Sequence, residues 1–168
     1  ETHRLNAQLI HFSTDFVFDG TKEGAYVETD TTAPLGIYGQ TKVAGEEAIR
    51  ASGCRHLIFR TSWVYAARGN NFIKTMLRLA EERHELKVVG DQYGAPTSAE
   101  LLADVTACCL YRLHFDAFVS SQCDGTYHLA AGGTVNWHGF AQFILDEALQ
   151  HGVKLCATSE NVVAIPTS

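Results

Sequence analysis

The chain has 168 residues, of which 46% are hydrophobic, and a formal net charge of −6. That length holds one ordinary core, and an acidic balance without a basic cluster excludes a nucleic-acid surface. The five cysteines contain no Cys-x-x-Cys and fall at no zinc spacing with the eight histidines, so they read as reduced thiols. Leu9–Phe12 is a short strand ending in Ser13-Thr14-Asp15, then Phe16 and the turn Asp19-Gly20. Thr21–Leu35 is polar and reads as a loop, with Pro34 keeping Ala33 out of a helix. Gly36–Ala51 is a helix over Val43, Ala44, Ala48 and Ile49, ending near Gly53. Arg55–Arg60 is a strand whose Leu57-Ile58-Phe59 run suits a buried parallel position. Asn71 caps a helix through Phe72, Met76, Leu77, Leu79 and Ala80. Leu86–Val89 is a strand. Thr97 or Ser98 then caps a helix with Leu101, Leu102, Val105 and Leu110 on its apolar side, and Cys108-Cys109 as small core residues. Thr126–Leu129 is a strand, Asn136 caps a helix over Phe140, Phe143, Ile144 and Leu149, and Val162–Ile165 is a last strand. Such alternation implies an α/β fold with a parallel sheet. No run approaches the roughly 18 apolar residues that span a bilayer.

Tyr38-Gly39-Gln40-Thr41-Lys42 carries the most chemistry. Positions i and i+4 share a helix face, about 5–6 Å apart at Cβ. A lysine ammonium there favours the ionised form of a phenol, and such a phenol suits proton donation to a carbonyl oxygen. A half-buried tyrosine beside a solvated lysine on an ordinary helix is the plainer account of the same spacing. Ser13 and Thr14 end a strand, and open α/β sheets bind ligands at the carboxyl edge. Hydroxyls there also satisfy turn backbone, and both readings stay open. Arg60, Arg68 and Lys74 are candidate positive charges for an anionic ligand, or ordinary solvated charge.

Together the blocks Ser13-Thr14-Asp15-Phe16-Val17-Phe18-Asp19-Gly20, Tyr38-Gly39-Gln40-Thr41-Lys42, Arg60-Thr61-Ser62-Trp63-Val64-Tyr65, Gly90-Asp91-Gln92-Tyr93-Gly94-Ala95-Pro96-Thr97 and Gly125-Thr126-Tyr127-His128-Leu129-Ala130 resemble the extended short-chain dehydrogenase/reductases. Within them the chain looks like the dTDP-4-dehydrorhamnose reductases, from about Gln8 onward. The resemblance implies a partial Rossmann-like parallel sheet with helices on both faces, plus part of a small substrate-binding region. Residues 1–66 would be the remainder of a dinucleotide-binding domain. Residues 67–168 would mix substrate-binding segments with returning Rossmann elements. It implies NADPH or NADH as hydride source and reduction of the C4 keto group of dTDP-4-dehydro-6-deoxy-L-mannose to dTDP-L-rhamnose. Thr14, Tyr38 and Lys42 would be catalytic: Tyr38 the general acid, Lys42 on the nicotinamide ribose, Thr14 on the keto group. Ser13, Arg60, Thr61 and Ser62 would join Tyr38 and Lys42 around the cofactor. Asp15, Phe16, Trp63, Gln92 and Thr97 would meet the substrate, with a core tryptophan and turn or cap residues as the plainer accounts of the last three. A monomer or homodimer in the cytoplasm, with a dTDP-sugar and neither nucleic acid nor membrane as partner, completes the expectation.

Three features depart from the family pattern. Phe16 stands where tyrosine is usual. No Gly-x-x-Gly-x-x-Gly occurs in the 168 residues, although that turn cradles the pyrophosphate on a helix N-terminus. Glu1–Ala7 resembles the start of a family helix that Gln8 cuts short, and relatives continue past the C-terminus. The expectation is a piece of a larger protein, with weak cofactor binding and little turnover by itself. Some members place a carboxylate, here Glu100, at a magnesium-assisted dimer contact; alone in a first helical turn, Glu100 is accounted for by the helix dipole. The alternatives are a non-catalytic regulatory subunit, as in relatives associated with methionine adenosyltransferase, and another sugar-nucleotide reductase, epimerase or dehydratase. The intact Thr14, Tyr38 and Lys42 weigh against the first. The lack of an acidic pair after Thr14 weighs against dehydration.

Overall fold

Leu9–Thr14 (β1) and His56–Thr61 (β2) pair in parallel, and Leu57–Thr61 of β2 is buried on both faces, as its continuous apolar run suits. The structure, a computed structural model, describes residues 1–116 and 122–167. It divides into two compact units, Glu1–Ser62 with Leu101–Ala130, and Trp63–Glu100 with Ala131–Ser168.

In the first unit Gly125–His128 (labelled β7 below) adds to β2, giving a three-stranded parallel sheet in the order β1-β2-β7. The helix Ile37–Ala51 (α1) is the crossover between β1 and β2. The register sets Ser13 opposite Arg60 and Thr14 opposite Thr61, so both strands end level at their carboxyl edge. β1 therefore runs two residues past the expected Phe12. Ser13 and Thr14 lie buried within it, where each gains a ladder partner on β2. A 3₁₀ turn, Asp15–Val17, follows, and the Thr14 hydroxyl accepts the Phe16 N–H at its start. Residues 21–35 form neither helix nor strand, as their composition indicates.

Gly39 allows α1 to touch that turn. A Cβ there would lie 2.2 Å from the Phe16 carbonyl oxygen and 2.8 Å from Pro34 Cβ. On the apolar side of α1, Val43 and Ile49 are half-buried, whereas Ala44 and Ala48 face outward.

The second unit is built from short strands: Val64–Tyr65 (β3) with Thr97–Ser98 (β6), Leu86–Val89 (β4) with Val162–Ile165 (β9), both parallel, and Tyr93–Gly94 (β5) with Val135–Asn136 (β8), antiparallel. The two-residue strands are too brief for a period to register in sequence. Phe72–Glu82 (α2) and Trp137–Gln150 (α4) enclose a core of Met76, Ala80, Leu86, Val88, Phe140, Ala141, Ile144, Leu145, Ala157 and Val162. Both helices start at the asparagines expected to cap them. Asn71 Oδ1 accepts from Lys74 N at 3.1 Å and Asn136 Oδ1 from Gly139 N at 2.7 Å.

Ala99–Phe115 (α3) departs from its expected packing. Of the expected stripe only Leu102 is buried; Leu101 and Leu110 are exposed, and so is Cys108. A helical period marks a stripe but not whether anything covers it. Phe143 on α4 is exposed too, the buried face of that helix being Phe140, Ala141, Ile144, Leu145 and Ala148.

Candidate active site

Tyr38 stands in the first turn of α1 with 56% of its surface exposed, so its hydroxyl is accessible. Lys42, one turn on, holds its Nζ 5.9 Å from the centre of the Tyr38 ring and donates to the Phe12 carbonyl oxygen of β1 at 2.9 Å. The i, i+4 spacing thus delivers what it predicts, a phenol and an ammonium on one face. The Tyr38 ring meets Phe16 edge-on, 6.0 Å between centres. Phe16 lies in the Asp15–Val17 turn, so the first turn of α1 packs on the turn that ends β1.

Thr14 is 5% exposed, and its hydroxyl donates to Asp15 Oδ1 at 3.0 Å. The other Asp15 oxygen accepts from Ser62 Oγ at 2.6 Å, which ties the ends of β1 and β2 together. Thr61 Oγ1 is buried there and has no hydrogen-bond partner among the described residues. A buried orphan hydroxyl is costly unless something else satisfies it.

Ser13 and Arg60, expected at the cofactor, place their polar atoms on Glu46 of α1. Ser13 Oγ donates to Glu46 Oε1 at 2.5 Å. Arg60 grips the same carboxylate with both fork nitrogens, Nε to Oε1 at 3.0 Å and a terminal nitrogen to Oε2 at 2.7 Å. Arg50 lies 3.3 Å from Oε2 and also donates to Thr126 Oγ1 on β7 at 3.1 Å. Glu46 is completely buried and Arg60 is 5% exposed. Burial opposes ionisation of Glu46, but the bonds from Arg60 and Ser13 and the Arg60 and Arg50 charges outweigh it and hold the carboxyl below its ordinary range. Sequence reasoning passed over Glu46. The signal was there: Tyr38, Lys42, Glu46 and Arg50 recur every fourth residue, one row of polar groups turned toward the sheet.

His11, on β1, packs near Gly45 of α1, with a ring nitrogen buried and unpaired. Burial and the Lys42 charge lower its pKa against the opposing pull of Glu46.

The remaining expected residues lie in the second unit. Trp63 has a left-handed backbone, φ 45°, uncommon for a bulky residue. Its ring stacks on Trp137 at 3.4 Å between centres and 7° between planes. It covers Gly94 so closely that a Cβ there would fall 2.4 Å from the indole. Thr97 is fully buried, its hydroxyl donating to Ala95 O and accepting from Ala131 N, while exposed Gln92 donates to Thr167 Oγ1. Among the described residues no cluster of three or more His, Cys, Asp or Glu could hold a metal ion. Among the same residues no helix is long and apolar enough to cross a membrane.

The profile of the RmlD substrate binding domain matches residues 1–168. The dTDP-4-dehydrorhamnose reductase of Salmonella typhimurium is 54% identical over 166 residues, covering 99% of this chain and 54% of that protein. Two crystal structures superpose well. That of the Bacillus anthracis dTDP-4-dehydrorhamnose reductase in complex with NADP gives a TM-score of 0.79 at 36% identity, over 99% of this chain and 53% of that one. That of the Clostridium acetobutylicum dTDP-4-dehydrorhamnose reductase gives 0.81 at 34%, with the same coverage. The chain spans about half the length of these relatives. The α/β fold with its parallel sheet is the Rossmann-like fold of such reductases, and the chain belongs to the RmlD substrate binding domain family.

Proposed function

We propose that the protein is an NAD(P)H-dependent sugar-nucleotide oxidoreductase that reduces the C4 keto group of dTDP-4-dehydro-6-deoxy-L-mannose to dTDP-L-rhamnose. The observation that carries this reading is the exposed Tyr38, with Lys42 beside its ring and the turn that follows Thr14 packed against it. The names of the relatives point the same way. Residues 1–66 belong to the dinucleotide-binding domain in this reading, and residues 67–168 combine substrate-binding segments with returning Rossmann elements. The enzyme works in the cytoplasm as a monomer or homodimer, and its partner is a dTDP-sugar rather than nucleic acid.

A bound nicotinamide supplies a hydride to C4. The protein's part is the proton and the geometry. Tyr38 Oη gives its proton to the C4 oxygen as negative charge develops there, and the Lys42 ammonium stabilises the phenolate left behind. The Thr14 hydroxyl turns from Asp15 Oδ1 to the same oxygen and polarises the carbonyl. Lys42, Tyr38, Thr61 and Ser62 hold the cofactor, and the orphan hydroxyl of Thr61 suits a ligand at this edge. Ser13 and Arg60 support that edge from behind, through Glu46. Asp15 and Phe16 form the substrate side of this edge.

The test is NADPH oxidation by the intact protein with a dTDP-4-keto-6-deoxy-L-hexose, followed by absorbance. Tyr38→Phe keeps the ring and removes the proton, and should cost about 10²–10⁴-fold in turnover. Lys42→Met should lower turnover and weaken cofactor binding together. Wild-type turnover in Tyr38→Phe, with chemistry rate-limiting, would exclude Tyr38 as the acid. A wild-type protein silent with this substrate but raising a partner enzyme's activity would put the regulatory reading in its place.

A further inference from the structure

Three successive residues of β1 meet three functions. The Phe12 carbonyl takes Lys42, the Ser13 hydroxyl takes Glu46, and Thr14 presents the strand-end hydroxyl. From the helix side the polar row crosses the sheet strand by strand. Lys42 reaches β1, Glu46 reaches β1 and β2, and Arg50 reaches β7. Glu46 is the one member with no exposed surface, and its bidentate pair with Arg60 joins α1 to the middle strand. A bidentate arginine–carboxylate pair is directional, because two parallel hydrogen bonds fix both planes. A slide or rotation of α1 on the sheet would break the Arg60 pair and the Ser13 bond at once.

We propose that Glu46 is a positioning residue of the reductase site, fixing α1 against β1 and β2 so that Tyr38 and Lys42 stand in register with Thr14. The inference rests on the reading of Tyr38, Lys42 and Thr14 given above. Glu46 touches neither substrate nor cofactor. It acts through the helix that carries the acid. Displacements of about 1 Å at a reacting group cost on the order of 10²-fold in rate, so a loosened helix should lower kcat more than it alters binding of the sugar nucleotide.

The test uses the intact protein and two variants. Removing Glu46 alone would leave the Arg60 guanidinium buried and unpaired, which is strongly destabilising. The first variant is therefore the pair Glu46→Leu with Arg60→Met, which removes both charges and retains bulk. The second is Glu46→Asp, which keeps the charge one methylene shorter. Thermal melts and circular dichroism establish that each is folded at the assay temperature. In the folded double variant kcat should fall by about tenfold or more, with the KM for the sugar nucleotide within about twofold of wild type. Glu46→Asp should recover part of that kcat. A folded double variant with wild-type kcat overturns the inference, and so does a loss confined to KM. Glu46→Asp no better than the double variant overturns it as well. An active wild type with an unaffected variant leaves the reductase reading intact. A wild type without reductase activity overturns that reading and this inference with it.

Discussion

The Thr14 hydroxyl makes two hydrogen bonds within the protein. It accepts the Phe16 N–H, caps the 3₁₀ turn by doing so, and donates to Asp15 Oδ1. In the proposed reaction that donated proton turns to the keto oxygen. Thr14→Ser keeps the hydroxyl and should keep most of the turnover. Thr14→Val keeps the shape, loses the donor, and should cost about 10²–10³-fold in kcat, the range for removing one donor to a developing oxyanion. Steady-state assays of the intact variants decide it: equal rates for Thr14→Val and wild type would take Thr14 out of the mechanism. Residue types pointed to this candidate site in sequence. Tyr38 and Lys42 carried a spacing that sets both on one helix face, and the structure brings them together. Arg60 shows the limit of such reading. A strand-end arginine in an anion-binding family invites assignment to the ligand, but its guanidinium is buried on a carboxylate of the facing helix. Which of two oppositely charged groups an arginine meets is settled by packing between elements distant in sequence.

At the scale of elements, α1 carries two glycines with opposite duties. Gly39 lies where the helix touches the Asp15–Val17 turn, and a methyl group there would meet backbone that cannot yield cheaply. Gly39→Ala should destabilise the protein by about 1–3 kcal/mol, the range for overpacking a tight contact. An added Cβ at Gly45 would meet only an ordinary contact, His11 Nε2 at 3.9 Å. Gly45→Ala should stabilise by up to about 1 kcal/mol through helix propensity. Urea unfolding of both variants checks the contrast, and equal shifts in the same direction would sink it. This pair also shows why elements were easier to read than their contacts. The caps Asn71 and Asn136, the Leu86–Val89 and Val162–Ile165 strands and the polar stretch up to Leu35 follow from local chemistry, and the structure has them. The two-residue strands β3, β5, β6 and β8 exist through their partners, not through any period of their own. The exposure of Leu101, Leu110 and Cys108 on α3 likewise depends on neighbours that no helical wheel contains.

For the whole molecule, the groups whose pKa values are lowered, His11, Glu46, Glu28 and Asp19 among them, pull stability in one direction as acid is added. His11 is lowered by burial and by Lys42, against Glu46. Glu46 is lowered as Arg60, Ser13 and Arg50 overcome its burial. Glu28 is lowered chiefly by the His128 N–H, which it accepts at 2.9 Å, and Asp19 by the Thr21 backbone and the Tyr26 hydroxyl. A group whose folded pKa lies below its unfolded value binds more protons when unfolded. Its contribution is therefore full above the unfolded pKa and lost as pH falls toward the folded one. For His11 that loss begins near the ordinary 6.5, and for the glutamates near 4.5. The melting temperature should hold steady above about pH 7, decline gently between about 6.5 and 5, and drop steeply below about 4.5. His11→Leu places an apolar group where a buried ring nitrogen lacks a partner. It should flatten the gentle decline and leave the steep acid limb in place, because Glu46 and Glu28 are untouched. Melts from pH 8 to pH 3 in buffers of constant ionic strength read both limbs. A wild-type melting temperature unchanged between pH 7 and pH 5 would remove His11 from the account, and an acid limb that vanished in His11→Leu would remove the carboxylates.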